Sequence, residues 1–301
     1  MAKKHKKFGR SKTGYGRRRK PDRLKNLFLT GALVAIPVGT LGAGGYLANI
    51  HLSREQIDAN YCYQRADQEQ VATFIDFSLT HQTSQSQQRD LRNTLMQTFE
   101  SLPPNGRVLI FTTANSSTAS VTDPVFVLCK PAATPLEQAA IGAPDTSAQV
   151  LARQQREASE RYAAFVDDLI RSSTQQSRLA TSSPILEQIQ GISRYDYGAP
   201  LSKLIVYTDG INNSATARFC AVQGELPRFE VFARRPNYRF VKPDDFGGAD
   251  VDILLIERGE LPSQHLPFCT NQELRDFWLD YAEANGAGIA RVTPLGYGAA
   301  Q

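Results

Sequence analysis

The chain has 301 residues, of which 41% are hydrophobic and 21% charged, and this composition excludes a disordered or fibrous protein. The net charge of +4 is unevenly distributed, because residues 1–25 hold twelve Lys and Arg but only one acid and therefore carry +11. The rest of the chain carries −7, which argues against nucleic-acid binding by the main domain unless its arginines are gathered into one patch.

The basic tail, residues 1–25, precedes an uncharged segment over residues 26–50, which as a helix is long enough to cross a hydrocarbon core of about 30 Å. We predict one transmembrane helix there. A cleaved signal peptide is the alternative, but the basic region is long and no small-residue cleavage site follows it. The charge distribution predicts an inner-membrane protein with a cytoplasmic N-terminus and a periplasmic C-terminal domain. The tail could in addition bind anionic lipid or nucleic acid.

Small residues recur every four positions in the predicted membrane helix, at Gly31, Ala35, Gly39 and Ala43. Such a stripe lets another helix approach closely and predicts a protein partner in the membrane. The alternative is that Gly and Ala are simply common in membrane helices, and Pro37 would disturb the helix here.

All four cysteines, Cys62, Cys129, Cys220 and Cys269, follow the predicted membrane helix, in a compartment where disulfides persist. Three pairings are possible for two disulfides. We favour Cys62 with Cys129 and Cys220 with Cys269, because each bond would join the flanks of one half of the domain. Neither a Cys-x-x-Cys pair nor a cluster of His occurs, so the sequence supports neither a zinc site nor a dithiol redox site.

A linker over residues 51–67 leads to the main domain, residues 68–301. Short apolar runs predict strands at 71–76, 107–113 and 124–129, and helically spaced apolar residues predict a helix over the residues 84–102.

Residues 131–180 look like an insertion or an elaborated crossover, with a Pro-, Ala- and Gly-rich loop over 131–148 followed by a long helix. The apolar stripe of this helix comprises Tyr162, Phe165, Val166, Leu169 and Ile170. Another helix is predicted over 184–192, and Lys203–Thr208 is the clearest central strand.

Later strands are predicted at 229–232, 251–256 and 289–292, with a helix through Phe277, Trp278 and Tyr281 before the last of them. Alternating strands and helices predict an α/β fold, a Rossmann-like doubly wound sheet that is mostly parallel and covered by helices on both faces.

Polar side chains follow two of the predicted strands. Asp76, Ser78 and Thr80 come at and after the end of the first strand, 71–76. In an extended loop, alternate residues point the same way, so these three side chains would lie on one side of the loop. Asp209 follows strand 203–208. Ligands of open α/β sheets gather at the carboxyl ends of strands, so these residues could face a common point. Carboxylate and hydroxyl oxygens suit a hard divalent cation such as Mg²⁺.

These residues resemble the von Willebrand factor type A (vWA) family, whose metal-ion-dependent adhesion site uses an Asp-x-Ser-x-Ser loop, a distant Thr and a later Asp. The resemblance spans roughly residues 68–295 and assigns Asp76, Ser78 and Thr80 to the loop and Asp209, in IVYTDG, to the later Asp. Ser183, at the corresponding spacing, stands for the distant Thr, with Thr181 and Ser182 as neighbours that could serve. The resemblance implies Mg²⁺-dependent recognition of a protein partner in the cell envelope, in assembly or adhesion.

Other interpretations stay open. Ser78 and Thr80 could cap a helix and Asp209 could belong to a simple turn, in a structural subunit of a transport, conjugation or defence complex with a degenerate metal site. A phosphatase of the Asp-x-Asp-x-Thr type would need an acid where Ser78 stands. A hydrolase built on His81 lacks a Gly-x-Ser-x-Gly elbow. We therefore expect neither catalysis nor a small-molecule substrate.

Overall fold

The computed structural model describes residues 57–64, 68–78, 83–113, 123–175, 182–220, 226–257 and 269–296, all within the compact unit Glu55–Gln301. The predicted tail and the predicted membrane helix, with its stripe of Gly31, Ala35, Gly39 and Ala43, lie outside the described residues. Within these described ranges, no helix is both long and apolar enough to cross a bilayer.

Six strands form one sheet in the order β3-β2-β1-β4-β5-β6. All neighbours are parallel except β2 and β3, which are antiparallel. The mostly parallel α/β fold predicted from the sequence is therefore confirmed. The strands are β1 (Gln70–Ile75), β2 (Arg107–Thr112), β3 (Phe126–Cys129), β4 (Leu201–Thr208), β5 (Asp250–Ile256) and β6 (Ala290–Leu295).

In the part of the chain that the structure describes, six α-helices and one 3-10 helix accompany the strands. Ser84 and Thr270 each cap the start of a helix with a capping box. In each box the hydroxyl of the cap residue accepts from the backbone N–H of the third helical residue, and the side chain of that third residue accepts from the backbone N–H of the cap residue. The helices are α1 (Gln85–Ser101), α2 (Pro135–Ala140), α3 (Ala148–Gln175), α4 (Ile185–Ser193), α5 (Phe229–Ala233), the 3-10 helix (Pro236–Phe240) and α6 (Asn271–Ala284).

The sheet is buried on both faces because successive strand residues point to opposite sides. In β1, Val71 and Ile75 pack in the layer that contains α1 and α3. Ala72 and Phe74 pack in the layer that contains α4, α5 and α6. All six residues of β1 are buried, as expected for a central strand with a near-continuous apolar sequence.

Two predictions of local structure are wrong. The predicted loop 131–148 contains α2, because Thr134 caps a short helix and Pro135 occupies its first turn, where its missing N–H costs nothing. The predicted strand 229–232 is α5. Phe229 and Phe232 are both buried at helical i, i+3 spacing, whereas Val231 between them is exposed.

Both disulfides that we favoured are present, Cys62–Cys129 and Cys220–Cys269. The first joins the segment that precedes β1 to the last residue of the edge strand β3. The second joins the loop after β4 to the residue before the N-cap of α6. The two bonds join cysteines that are 67 and 49 residues apart in the chain, so each restricts the unfolded chain as well as fixing the folded one.

Helix α6 is fastened to the turn after β4 through Trp278, which is fully buried. Its indole Nε1 donates to the carbonyl oxygen of Gly210 at 3.0 Å. Gly210 has φ +73°, and a Cβ there would lie 2.7 Å from Trp278 Nε1 and 2.8 Å from the Cδ1 of Leu255. Only glycine therefore meets both the conformation and the close approach.

We expect Gly210→Ala to lower the free energy of unfolding by about 3 kcal/mol, since it adds a steric clash to backbone strain. Gly142→Ala is the matched control, because Gly142 has φ +68° and no atom lies within 4 Å of the place its methyl group would take. Backbone strain alone should cost the control about 1 kcal/mol. Urea unfolding of both variants measures the difference, and equal losses would contradict the packing role of Trp278.

Candidate functional site

The candidate site lies where the strand order of the sheet reverses. From β1 the chain proceeds outward to β2 and β3, then returns to β4 on the other side of β1 and continues to β5 and β6. Ligands of doubly wound sheets bind at such switch points, outside the carboxyl ends of the strands. Asp76 follows β1 directly and Asp209 follows β4, so the two predicted acids lie at this point.

Donors from Ser78 and Thr208 orient the Asp76 carboxylate. Its Oδ1 accepts from the backbone N–H of Ser78 at 2.8 Å and from the Ser78 hydroxyl at 2.5 Å. Its Oδ2 accepts from the hydroxyl of Thr208, the last residue of β4, at 2.8 Å. Asp76 and Thr208 are fully buried and Ser78 is half-buried, so the cluster meets the surface on the Ser78 side.

Ser183 joins the cluster from the segment before α4. Its hydroxyl donates to Asp76 Oδ2 at 3.4 Å, and its oxygen lies 2.8 Å from the hydroxyl oxygen of Ser78. The neighbouring Ser182 instead donates its hydroxyl to the backbone oxygen of Asn213 at 3.1 Å. The structure thus brings together Asp76, Ser78 and Ser183 and turns Ser182 away. Thr80 and Thr181 lie outside the described residues.

The turn after β4 is held by its own side chains. Asp209 Oδ1 accepts from the N–H of Ile211 at 3.0 Å, and the Thr208 hydroxyl accepts from the N–H of Gly210 at 3.1 Å. Asp209 is 1% exposed, so its carboxylate lies inside the protein with that of Asp76.

Asn212 is a functional-site residue that the sequence did not identify. Its side-chain oxygen accepts from the N–H of Leu186 at 2.9 Å, and its amide donates to the oxygen of Ala217 at 2.7 Å. The next residue, Asn213, exchanges two backbone hydrogen bonds with Ser183, at 2.8 and 2.7 Å. The β4 turn thereby sets the position of Ser183. In the sequence, Asn212 is a polar residue two positions after Asp209-Gly210. Polar residues are common in such turns, so this pattern does not indicate a role in the site.

The pKa of Asp76 is raised from its ordinary 3.8 to about 6, mainly by burial and secondly by the nearby charge of Asp209. The hydrogen bonds from Ser78 and Thr208 act in the opposite direction because they favour the carboxylate. Asp76 and Asp209 are thus both buried and close enough for their ionised carboxylates to repel each other. A bound cation would reduce this repulsion.

The oxygen positions fit a small divalent cation. Asp76 Oδ1 and the Ser183 hydroxyl lie 2.5 and 2.8 Å from the Ser78 hydroxyl. Neighbouring ligands of an octahedral Mg²⁺, each about 2.1 Å from the ion, lie about 3 Å apart. Within the ranges that the structure describes, no group of three or more His, Cys, Asp or Glu forms a metal site. A site here would therefore use hydroxyls beside the two acids.

No protein-family model matches the chain, and no curated protein sequence matches it. A solved structure that is similar to it is an aerotolerance-related membrane protein from Bacteroides fragilis NCTC 9343 with multiple mutations to serines. The two share 10% sequence identity with a TM-score of 0.36, over 75% of this chain and 90% of that chain. Similarity at this level identifies neither a ligand nor an activity.

Proposed function

We propose that this chain is a vWA-like protein-binding module anchored in the cell envelope, which recognises an acidic side chain of a protein partner through a bound divalent cation such as Mg²⁺. The observation that carries the proposal is the convergence of three side-chain oxygens, from two loops 105 residues apart, at the switch point of the sheet. The proposed ligands are Asp76, Ser78, Thr80, Ser183 and Asp209.

Each part of the site has a separate task. Asp76 and Asp209 supply negative charge, and the Thr208 hydroxyl holds the Asp76 carboxylate in one orientation. Ser78 and Ser183 supply neutral oxygens, with the half-buried Ser78 nearer the surface and Ser183 buried. A cation bound there would supply positive charge for a partner's carboxylate. Because the other three proposed ligands are neutral hydroxyls, the two acids balance the +2 charge of the cation without exceeding it, so a partner's carboxylate would not meet an excess of negative charge.

The envelope location rests on the sequence and on the disulfides. The basic tail and the apolar segment 26–50 would anchor the chain in the inner membrane, with the domain in the periplasm. Both disulfides are formed, as an oxidising compartment allows.

One observation favours a second candidate, a structural subunit of a membrane complex with a degenerate metal site. The Asp76 carboxylate already accepts hydrogen bonds from Ser78 and Thr208, so the folded state holds it without a cation. In that case the stripe through Gly39 in the predicted membrane helix would make the essential contacts.

If the site binds a cation, Mg²⁺ should stabilise the folded protein by about 2.7 kcal/mol at a concentration one hundred times its dissociation constant. For a domain of this size, the corresponding rise in Tm is roughly 5–10 °C. Asp209→Asn should lose most of this increment, since it removes one of the two charges that bind the cation. Asp280→Asn, at an acid on the outer side of α6, is the control. Thermal unfolding with and without Mg²⁺ tests this, and an equal increment in wild type and Asp209→Asn would contradict it.

Without divalent cations, the buried Asp76 should make stability depend on pH. The pKa of Asp76 is higher in the folded state than in the unfolded state, so the protonated side chain stabilises the folded protein. This contribution to the free energy of unfolding is complete below about pH 4 and is lost as the pH rises through about 6. The loss is about 3 kcal/mol. Asp76→Asn cannot titrate, so we expect wild type to lose stability relative to this variant between pH 4 and 6. Urea unfolding at several pH values measures the difference, and parallel curves would show that Asp76 is not perturbed.

Affinity isolation of the full chain from its native membrane separates the two candidate functions. Under the cation-dependent proposal, the combined Asp76→Ala and Asp209→Ala changes should remove the same partner that a chelator removes. Gly39→Leu should leave that partner bound. The reverse pattern, with partners lost only on Gly39→Leu, would favour the structural subunit.

A further inference from the structure

The segment 228–242, which comprises α5 and the 3-10 helix, has one face fixed to the domain. Phe229, Phe232 and Tyr238 are buried. The ring centroid of Phe229 lies 5.7 Å from the ring centroid of Phe277 and 5.9 Å from that of Tyr281, both on α6. The Tyr238 hydroxyl donates to the side chain of Asn285 at 3.0 Å. The segment therefore has a rigid inner face and presents a defined outer face.

The outer face combines positive charge with apolar side chains. Its five basic residues are all exposed and stand against one acid, Glu230, so the segment carries +4, whereas the chain after residue 25 carries −7. Val231 and Phe240 lie among them, 52% and 55% exposed. We call this outer face the basic surface; its cations are Arg228, Arg234, Arg235, Arg239 and Lys242.

These cations are available to a ligand. Within the described residues, none of the five forms an ion pair, although seven other basic side chains do. Asp244, the nearest acid after the segment, is paired with Arg194 at 3.0 Å. Asp245 follows it and accepts from the N–H of Gly247. The guanidinium carbon of Arg239 lies 4.6 Å from the ring centre of Phe240, which places charge and apolar surface side by side.

The later part of the basic surface lies at the edge of the sheet opposite the candidate site. Lys242 accepts through its backbone oxygen from Gln190, and the N–H of Asp244 donates to Ser193, both near the end of α4. Tyr238 contacts Asn285 at the end of α6. Helices that connect parallel strands run back to the edge where the strands begin. Asp76 and Asp209 lie at the other edge, where strands end.

We propose that the basic surface docks on the anionic phospholipid headgroups of a membrane. Clustered Arg and Lys attract such headgroups, and exposed Phe and Val between them can enter the boundary with the acyl chains. The mixture favours a lipid surface over a free phosphate, which would not use the apolar side chains. Docking by this edge would turn the candidate site away from the bilayer, toward partners. The charges of the segment would attract a membrane whether or not a cation occupies the candidate site.

The test uses the full chain in lipid nanodiscs with brominated acyl chains, with Phe240→Trp as the reporter. The chain has a single tryptophan, Trp278, which is buried and gives a constant background. Bromine should quench the new tryptophan in discs that contain phosphatidylglycerol and far less in discs of phosphatidylcholine alone. Each cation contributes about fivefold to docking. Arg235→Glu with Arg239→Glu should therefore weaken it by at least about 25-fold.

The matched control is Arg89→Glu with Arg156→Glu, two exposed arginines on α1 and α3 that make the same change in total charge. This control should keep the quenching. Quenching that is absent in both lipids, equal in both lipids, or unchanged by Arg235→Glu with Arg239→Glu would overturn the proposal. If a photocrosslinker at position 240 in native membranes captures an acidic protein instead of lipid, the surface belongs to that protein. Incorporation into the discs reports on the membrane anchor separately, so failure of the anchor and failure of the basic surface are distinguishable.

Discussion

Two carboxylates, those of Asp76 and Asp209, are enclosed at the carboxyl ends of the adjacent parallel strands β1 and β4. In the parallel pair of β1 and β4, Ile75 lies opposite Tyr207, so Asp76 and Asp209 follow this point of the sheet within one and two residues. Both are at most 1% exposed, and their ionised forms repel each other. The hydroxyls of Ser78 and Thr208 offset part of the cost. A fold that only had to be stable would gain from neutral residues here, and charge kept at such a place is typical of a binding site.

The segments around the two acids are held by contacts that do not themselves touch a ligand. Asn212 connects the β4 turn to the start of α4, and Trp278 fastens the same turn to α6. The Cys220–Cys269 disulfide closes the loop that follows the turn. Each contact limits how far Asp209 and Ser183 can move relative to Asp76. The described part of the candidate site is therefore held in place by the fold, and such preorganisation would lower the entropic cost of binding a ligand.

The features that follow from periodicity and strand order could be predicted from the sequence. Buried strands at 71–76 and 203–208 were evident, and parallel pairing brings their ends together, so Asp76, Ser78 and Asp209 could be grouped without coordinates. Ser183 could be selected over Ser182 only through the family resemblance, and its orientation depends on hydrogen bonds to Asn213.

Short segments were less predictable. Residues 229–232 are too few for their sequence pattern to distinguish a strand from a helix with i, i+3 burial. In the structure, Phe229 and Phe232 both pack against Phe277 of α6, a contact that the local sequence does not reveal. The roles of Asn212 and Thr208 depend on contacts with distant segments, and no local pattern reports these. The arginines of 228–242 were visible in the sequence, but their shared outer face became evident only when Phe229, Phe232 and Tyr238 were seen to point inward.

The Cys62–Cys129 disulfide also determines how the domain would carry a mechanical load. A force applied from the N-terminal side would be transmitted at Cys62 along two paths. One path follows the backbone into β1, and the other passes through the disulfide into β3. A partner that grips the protein near Asp76 would hold the far end of β1. Tension would then run along the axis of a strand that is hydrogen-bonded on both sides, to β2 and to β4. Because the disulfide adds β3 to the path of the load, a pull at Cys62 would be shared between two strands of the sheet instead of acting on β1 alone.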